Sequence, residues 1–119
     1  VETARLIAGQ IGEPPISVDE RLIEQEYGVY EGKDRKAPGF LANKRQFAFR
    51  YPGGESMMQL AHRLYSLLEG LREGDPEETV LLVCHNGVCR VLNTYFRDVT
   101  NEDFFHYELH NCGLEEYWL

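Results

Sequence analysis

The order of apolar segments predicts an α/β fold, a three-layer sandwich with a mostly parallel sheet flanked by helices. Three observations carry that expectation. Stretches with helical periodicity alternate with short apolar runs, the pattern of mixed layers. The run Thr79 to Cys84 (TVLLVC) is apolar and rich in β-branched residues, as a strand buried on both faces of a parallel sheet would be. A tight turn, His85-Asn86-Gly87, follows it at once and opens a further helical period. With 119 residues the chain reads as one domain, residues 1–119. The strand count is low for a free-standing sheet, and the chain opens inside a helical period. Both features predict a sandwich truncated at its N-terminus.

The elements follow in order. Thr3, Ala4, Ile7, Ala8 and Ile11 share one apolar stripe, with Gly12 as a stop and Pro14 and Pro15 beyond it. Ile16 to Leu22 reads as a short extended segment. Tyr27 to Gly32 holds two glycines four apart and is expected to be loop. Phe40 to Phe49 has helical character, ended by Tyr51-Pro52-Gly53-Gly54. Ser56 followed by Gln59 has the spacing of a capping box, and Leu60, Leu64, Leu67, Leu68 and Leu71 form the face of the helix it opens. Gly74-Asp75-Pro76 closes that helix. Val88, Val91, Leu92, Tyr95 and Phe96 mark the next one. Thr100 with Asp103 caps a short helix, and Leu114 to Leu119 reads as a last strand.

Composition narrows the function classes. The chain carries 20 Asp and Glu against 12 Lys and Arg, a formal charge of −8, which disfavours a nucleic-acid partner. A few local cations can still dominate one cleft, so phosphate chemistry stays open. No run of 18 apolar residues occurs, so no membrane-crossing helix is expected. Cys84, Cys89 and Cys112 are odd in number and lack C-x-x-C spacing. They read as reduced thiols of a cytoplasmic protein rather than a disulfide framework or a zinc site.

Three segments carry candidate chemistry. Val83-Cys84-His85-Asn86-Gly87-Val88 places a histidine between the carboxyl end of a strand and the start of a helix. Ligands of open α/β sheets bind at that junction, and free N–H groups with a positive dipole end suit a phosphate. A histidine satisfied by a backbone carbonyl fits the same segment equally well. Cys84 and His85 cannot act as a thiol–base pair, because successive strand residues point to opposite faces. In Arg21-Leu22-Ile23-Glu24-Gln25-Glu26-Tyr27-Gly28, Glu24 or Glu26 could serve as a general acid at the mouth of an anion site. A solvated acidic loop explains the segment as well. Tyr51-Pro52-Gly53-Gly54-Glu55-Ser56 is accounted for by a turn and a cap. His62, His106 and His110 show no metal-ligand spacing.

Taken together, "RLIEQEYGVYEG", "YPGGES", "VLLVCHNGVCR" and "NCGLEEY" occur in the order found in the histidine phosphatase superfamily, the phosphoglycerate mutase-like group that includes the fructose-2,6-bisphosphatase domain. The opening "VETA" resembles the tail of that family's R-A-x-x-T-A helix. The family's nucleophilic R-H-G motif does not occur here, so the chain resembles the carboxyl-side portion of such an enzyme. The resemblance implies a phosphomonoester hydrolase working through a phosphohistidine, with the nucleophile outside this chain. By motif position, Glu24 resembles the proton donor and His85 the phosphoryl-binding histidine. The backbone N–H of Asn86 resembles a phosphate donor and Tyr27 a substrate-contacting tyrosine. No metal or other cofactor is implied, and the partner is a small phosphorylated metabolite. Only 19 residues separate Gly32 from Pro52, short of the insertion carried by glycolytic mutases, which favours phosphatase over mutase. A non-catalytic pseudo-phosphatase or binding module is the further alternative. An uncovered sheet edge left by a missing first strand would favour a homodimer or a domain-swapped association.

Overall fold

A computed structural model describes all 119 residues. The chain folds into five α-helices and two single 3-10 turns. The helices are α1 (Glu2–Ala8), α2 (Pro38–Lys44), α3 (Met57–Arg72), α4 (Asn86–Phe96) and α5 (Asn101–His106). The 3-10 turns are Glu20–Leu22 and Gly28–Tyr30.

There is no strand and no sheet, which overturns the expected α/β sandwich. The reason lies in what a strand requires. Apolar, β-branched sequence favours a pleated surface, but a strand exists only when a neighbour accepts its N–H groups and supplies C=O partners. Neither residues 79–84 nor residues 114–119 make any backbone–backbone hydrogen bond. Val80, Leu81, Leu114 and Trp118 consequently stand exposed. Without a sheet there is no sheet edge, so the association expected from such an edge loses its premise. No helix is long and apolar enough to cross a membrane.

Local signals hold where they act within a few residues. Ser56 Oγ accepts from the Gln59 N–H (3.1 Å) and Gln59 Oε1 accepts from the Ser56 N–H (2.8 Å), so the capping box of α3 is complete. Thr100 Oγ1 caps α5 by accepting from the Asp103 N–H (3.1 Å). α2 is short, and Phe47 lies beyond it, packed edge-on against Phe104. α1 ends at Ala8, the only buried residue of its stripe, and Ile11 is exposed.

The core is the seam between α3 and α4. Met57, Leu60, Leu64 and Leu68 meet Val88, Val91 and Leu92, with Phe104 of α5 at one end. A second, smaller cluster packs Tyr27, Phe40 and Tyr51 edge to face. Because only 18 of 119 residues are buried, the α3–α4 seam carries a large share of the stability. Leu64→Ala at its centre is expected to cost about 2–5 kcal/mol, whereas Leu6→Ala on the exposed face of α1 is expected to stay within about 0.5 kcal/mol. Urea unfolding followed by circular dichroism compares the two.

Candidate functional site

The N-terminus of α4 is where the separated segments meet. His85 is the N-cap residue of α4, with extended backbone (φ −99°, ψ 167°). Its side chain is exposed and makes no hydrogen bond to the cap. The Gly87 N–H, in the first turn of α4, donates to Glu24 Oε2 at 3.2 Å across 63 residues of sequence. Glu24 Oε1 accepts in turn from the Gln25 N–H (2.9 Å). A carboxylate therefore occupies the positive end of the helix, where donors and dipole favour an anion. A side chain at Gly87 would displace both groups: a Cβ would lie 2.5 Å from Glu24 Oε1 and 2.9 Å from the Tyr27 hydroxyl. Glu24, Tyr27 and the α4 terminus thus form one cluster. Asn86 stands beside it, its side-chain Oδ1 accepting from the Leu109 N–H (2.7 Å) and tying the segment after α5 to the site.

Two loops hold Glu24 in place. Gly28 has φ +57°, and a Cβ there would collide with the Pro52 carbonyl; a Cβ on Gly54 would collide with the Glu26 carbonyl. The backbones approach so closely that the Val29 N–H donates to Pro52 O (2.9 Å) and the Glu55 N–H to Glu26 O (2.9 Å). Tyr51-Pro52-Gly53-Gly54 is therefore more than a turn before a helix: it is the brace of the Glu24 loop. Arg63 on α3 completes the brace. It pairs with Glu55 at 2.6 Å and donates to the backbone carbonyls of Arg21 and Glu24. Glu55 Oε1 also accepts from the Glu26 N–H (3.1 Å), which engages Glu55 structurally, while Glu26 itself lies exposed.

Arg90 is the site residue that sequence reasoning missed. It is 3 % exposed, yet no carboxylate lies within 4 Å of its guanidinium. Its Nη2 reaches only Met57 Sδ (3.7 Å), and Nε has no partner. Burial holds its pKa below the usual arginine value, with Tyr27, Tyr51 and Glu24 acting in the opposite sense. A charged residue at a helix position otherwise read as solvent-facing gives no periodic signal, so only packing reveals it. Nearby Lys44 is pushed down to about 8, chiefly by burial and then by Arg90 and Arg45. Tyr27 is buried, with the Arg35 guanidinium 4.1 Å above its ring. Its phenol is shifted upward by burial and then by Glu24, against Arg90 and Arg35.

Of the four sequence-derived site residues, Glu24 and Tyr27 gather against Gly87 in the first turn of α4; the His85 side chain beside them is exposed and makes no cap hydrogen bond, and the Asn86 side chain is engaged by the Leu109 N–H. The arrangement combines a carboxylic acid, helix N–H donors and a buried cation.

Comparison with known proteins shows the family. The profile described as Histidine phosphatase superfamily (branch 1) matches residues 1–117, and the chain belongs to that family. Over 63 residues, 53% of this chain, it is 38% identical to 6-phosphofructo-2-kinase/fructose-2,6-bisphosphatase 3 of Bos taurus. It is 36% identical to 6-phosphofructo-2-kinase/fructose-2,6-bisphosphatase of Gallus gallus and 35% identical to the form 1 protein of Homo sapiens, each over 63 residues. These matches span 13% of each relative's length.

Two outcomes follow from the brace. Gly28→Ala meets both an unfavourable positive φ and a backbone collision, so a loss of about 1–3 kcal/mol or more is expected, measured by urea unfolding. Tyr51 is 1 % exposed with an unpartnered hydroxyl, and burial pushes its pKa up to about 12. The folded protein keeps that proton where the unfolded chain, titrating near 10, loses it. The contribution is therefore complete below pH 10 and disappears as pH rises toward 12. Tyr51→Phe should unfold close to wild type at pH 7 and lose less stability than wild type between pH 10 and 12. An equal alkaline loss in both proteins would remove Tyr51 as a source.

Proposed function

We propose that this member of the histidine phosphatase superfamily carries the acid and phosphoryl-binding half of a phosphomonoester hydrolase that acts through a phosphohistidine. The carrying observation is the Glu24 carboxylate bonded to Gly87 N–H at the start of α4, directly after His85. In this reading residues 1–119 form one cytoplasmic domain, and the nucleophilic histidine comes from an Arg-His-Gly segment that these residues do not contain. Glu24 enters the step as the protonated acid: histidine nitrogen attacks phosphorus, the P–O bond to the leaving group breaks, and the Glu24 carboxyl gives the departing alkoxide its proton and becomes the carboxylate. Water then attacks the phosphohistidine and Glu24 takes up the proton that water releases. Covalent catalysis divides one difficult displacement into two. His85 and the Asn86 N–H stabilise the phosphoryl oxygens, and Tyr27 contacts the substrate.

The names of the relatives support a phosphorylated sugar as the substrate class. Arg90 fits that class, because its buried guanidinium has no carboxylate within 4 Å and could take a second anionic group of the substrate. The short stretch between Gly32 and Pro52 favours phosphatase over mutase.

The two variants that matter most should act in opposite directions. His85→Ala removes a charge-assisted contact and should weaken inorganic phosphate binding by about tenfold or more, read by titration calorimetry. Glu24→Gln removes the carboxylate that competes for the Gly87 N–H and should tighten it. The 119-residue chain alone should not turn over p-nitrophenyl phosphate. Turnover abolished by His85→Ala would instead make His85 the nucleophile, and phosphate binding indifferent to both substitutions would overturn the site.

A further inference from the structure

Two thiols bracket the His85–Gly87 turn. Cys84 is the residue before His85, and Cys89 stands one turn into α4, its N–H donating to the His85 carbonyl (3.0 Å). Their Sγ atoms lie 3.6 Å apart. Both residues are free thiols and partly accessible, while Cys112 is exposed elsewhere. The proposed phosphoryl chemistry uses neither of the pair; Cys84 packs against the edge of the core without being buried in it.

We infer that Cys84 and Cys89 form a reversible dithiol–disulfide couple that, when oxidised, staples the turn at the start of α4 and closes its anion site. The effect on the anion site rests on the function proposed above; bond formation does not. Joining the sulfurs requires them to approach to about 2.05 Å, a movement of roughly 1.5 Å. The ring so closed contains His85 to Val88, including Gly87, whose N–H bonds Glu24. Drawing Cys84 against the first turn of α4 moves those N–H groups, so the Glu24–Gly87 bond and any bound phosphate lose their geometry.

Cys89 is the attacking thiol. It sits near a helix N-terminus, and its contact with the Cys84 sulfur lowers its pKa against the effect of burial, while Cys84 is shifted upward by that contact and by burial. With glutathione disulfide as oxidant, the Cys89 thiolate attacks one sulfur and expels a glutathione thiolate, leaving a mixed disulfide. Cys84 gives up its proton, attacks the Cys89 sulfur and expels the second glutathione. Two protein thiols are oxidised and one glutathione disulfide is reduced to two thiols.

The test uses Cys112→Ser to silence the exposed thiol. After incubation with glutathione disulfide, both remaining thiols should vanish from reagent titration, and the chain should lose the mass of two hydrogens. Peptide mapping should join Cys84 to Cys89, and dithiothreitol should reverse all three. Thiols that remain titratable, or disulfides found only between chains, would overturn the couple. Adding Cys84→Ser or Cys89→Ser should leave only a glutathione adduct or a free thiol. Inorganic phosphate affinity, read by calorimetry, should fall about tenfold on oxidation of the pair and stay unchanged in the single-thiol variants. Unchanged affinity despite a mapped disulfide overturns the closure. Phosphate binding absent in both redox forms overturns the anion site instead, and the peptide map still decides the thiol couple.

Discussion

The packing of α3 against α4 is the constraint on which the rest of the molecule depends. Leu60, Leu64 and Leu68 from one helix and Val88, Val91 and Leu92 from the other form the only extensive apolar seam. That seam sets where the α4 N-terminus points, and therefore where His85 and Gly87 stand. It also places Arg63 of α3, one residue before Leu64, against the backbone of the Glu24 loop. The site is thus assembled from two consequences of one interface: a helix terminus presented by α4 and a brace held by α3.

How much of this was legible in the sequence depends on the range of each interaction. α3 and α5 were readable because a cap and a 3.6-residue apolar period are written within a few residues. The neighbourhood of Glu24, Tyr27 and His85 was readable from the order of motifs, although the spatial meeting rests on a contact between residues 63 apart. The sheet was not readable, because TVLLVC records a preference for burial and carries no information about a ladder partner. The same blindness applied to Arg63 and Arg90. A cationic side chain on a helix has an ordinary solvated explanation, and only the surrounding packing shows that one braces a loop and the other is buried. Tyr51-Pro52-Gly53-Gly54 misled in a subtler way: a turn explained every residue, yet Gly54 and Gly28 are there because two backbones touch.

Unsatisfied polarity concentrates at the same place. Of the five buried side-chain atoms without hydrogen-bond partners, four belong to Gln25, Tyr51 and Arg90. Gln25 follows Glu24 in the braced loop, Tyr51 packs on Tyr27, and Arg90 lies one turn beyond Gly87. Each buried unpaired group costs about 1–3 kcal/mol, and an unpaired charge more. A chain with so small a core has little stability to set against such costs. Their gathering around one carboxylate and one helix terminus marks a region organised for something other than stability, as functional regions commonly are.

That region also stands free of the missing sheet. Family membership extends over residues 1–117, while the segment leading into the site forms no ladder at all. The Glu24–Gly87 contact survives because nothing that positions it is a strand. Gly28 and Gly54 set the loop approach, Arg63 and Glu55 lock it, and the α3–α4 seam aims the helix. A sheet would add rigidity beneath His85, but the separation between acid and helix terminus is already determined by helix packing and two glycines. The candidate site therefore owes its geometry to local backbone chemistry and one helix pair, whereas the predicted fold class failed because a strand needs a ladder partner that its own residues do not specify.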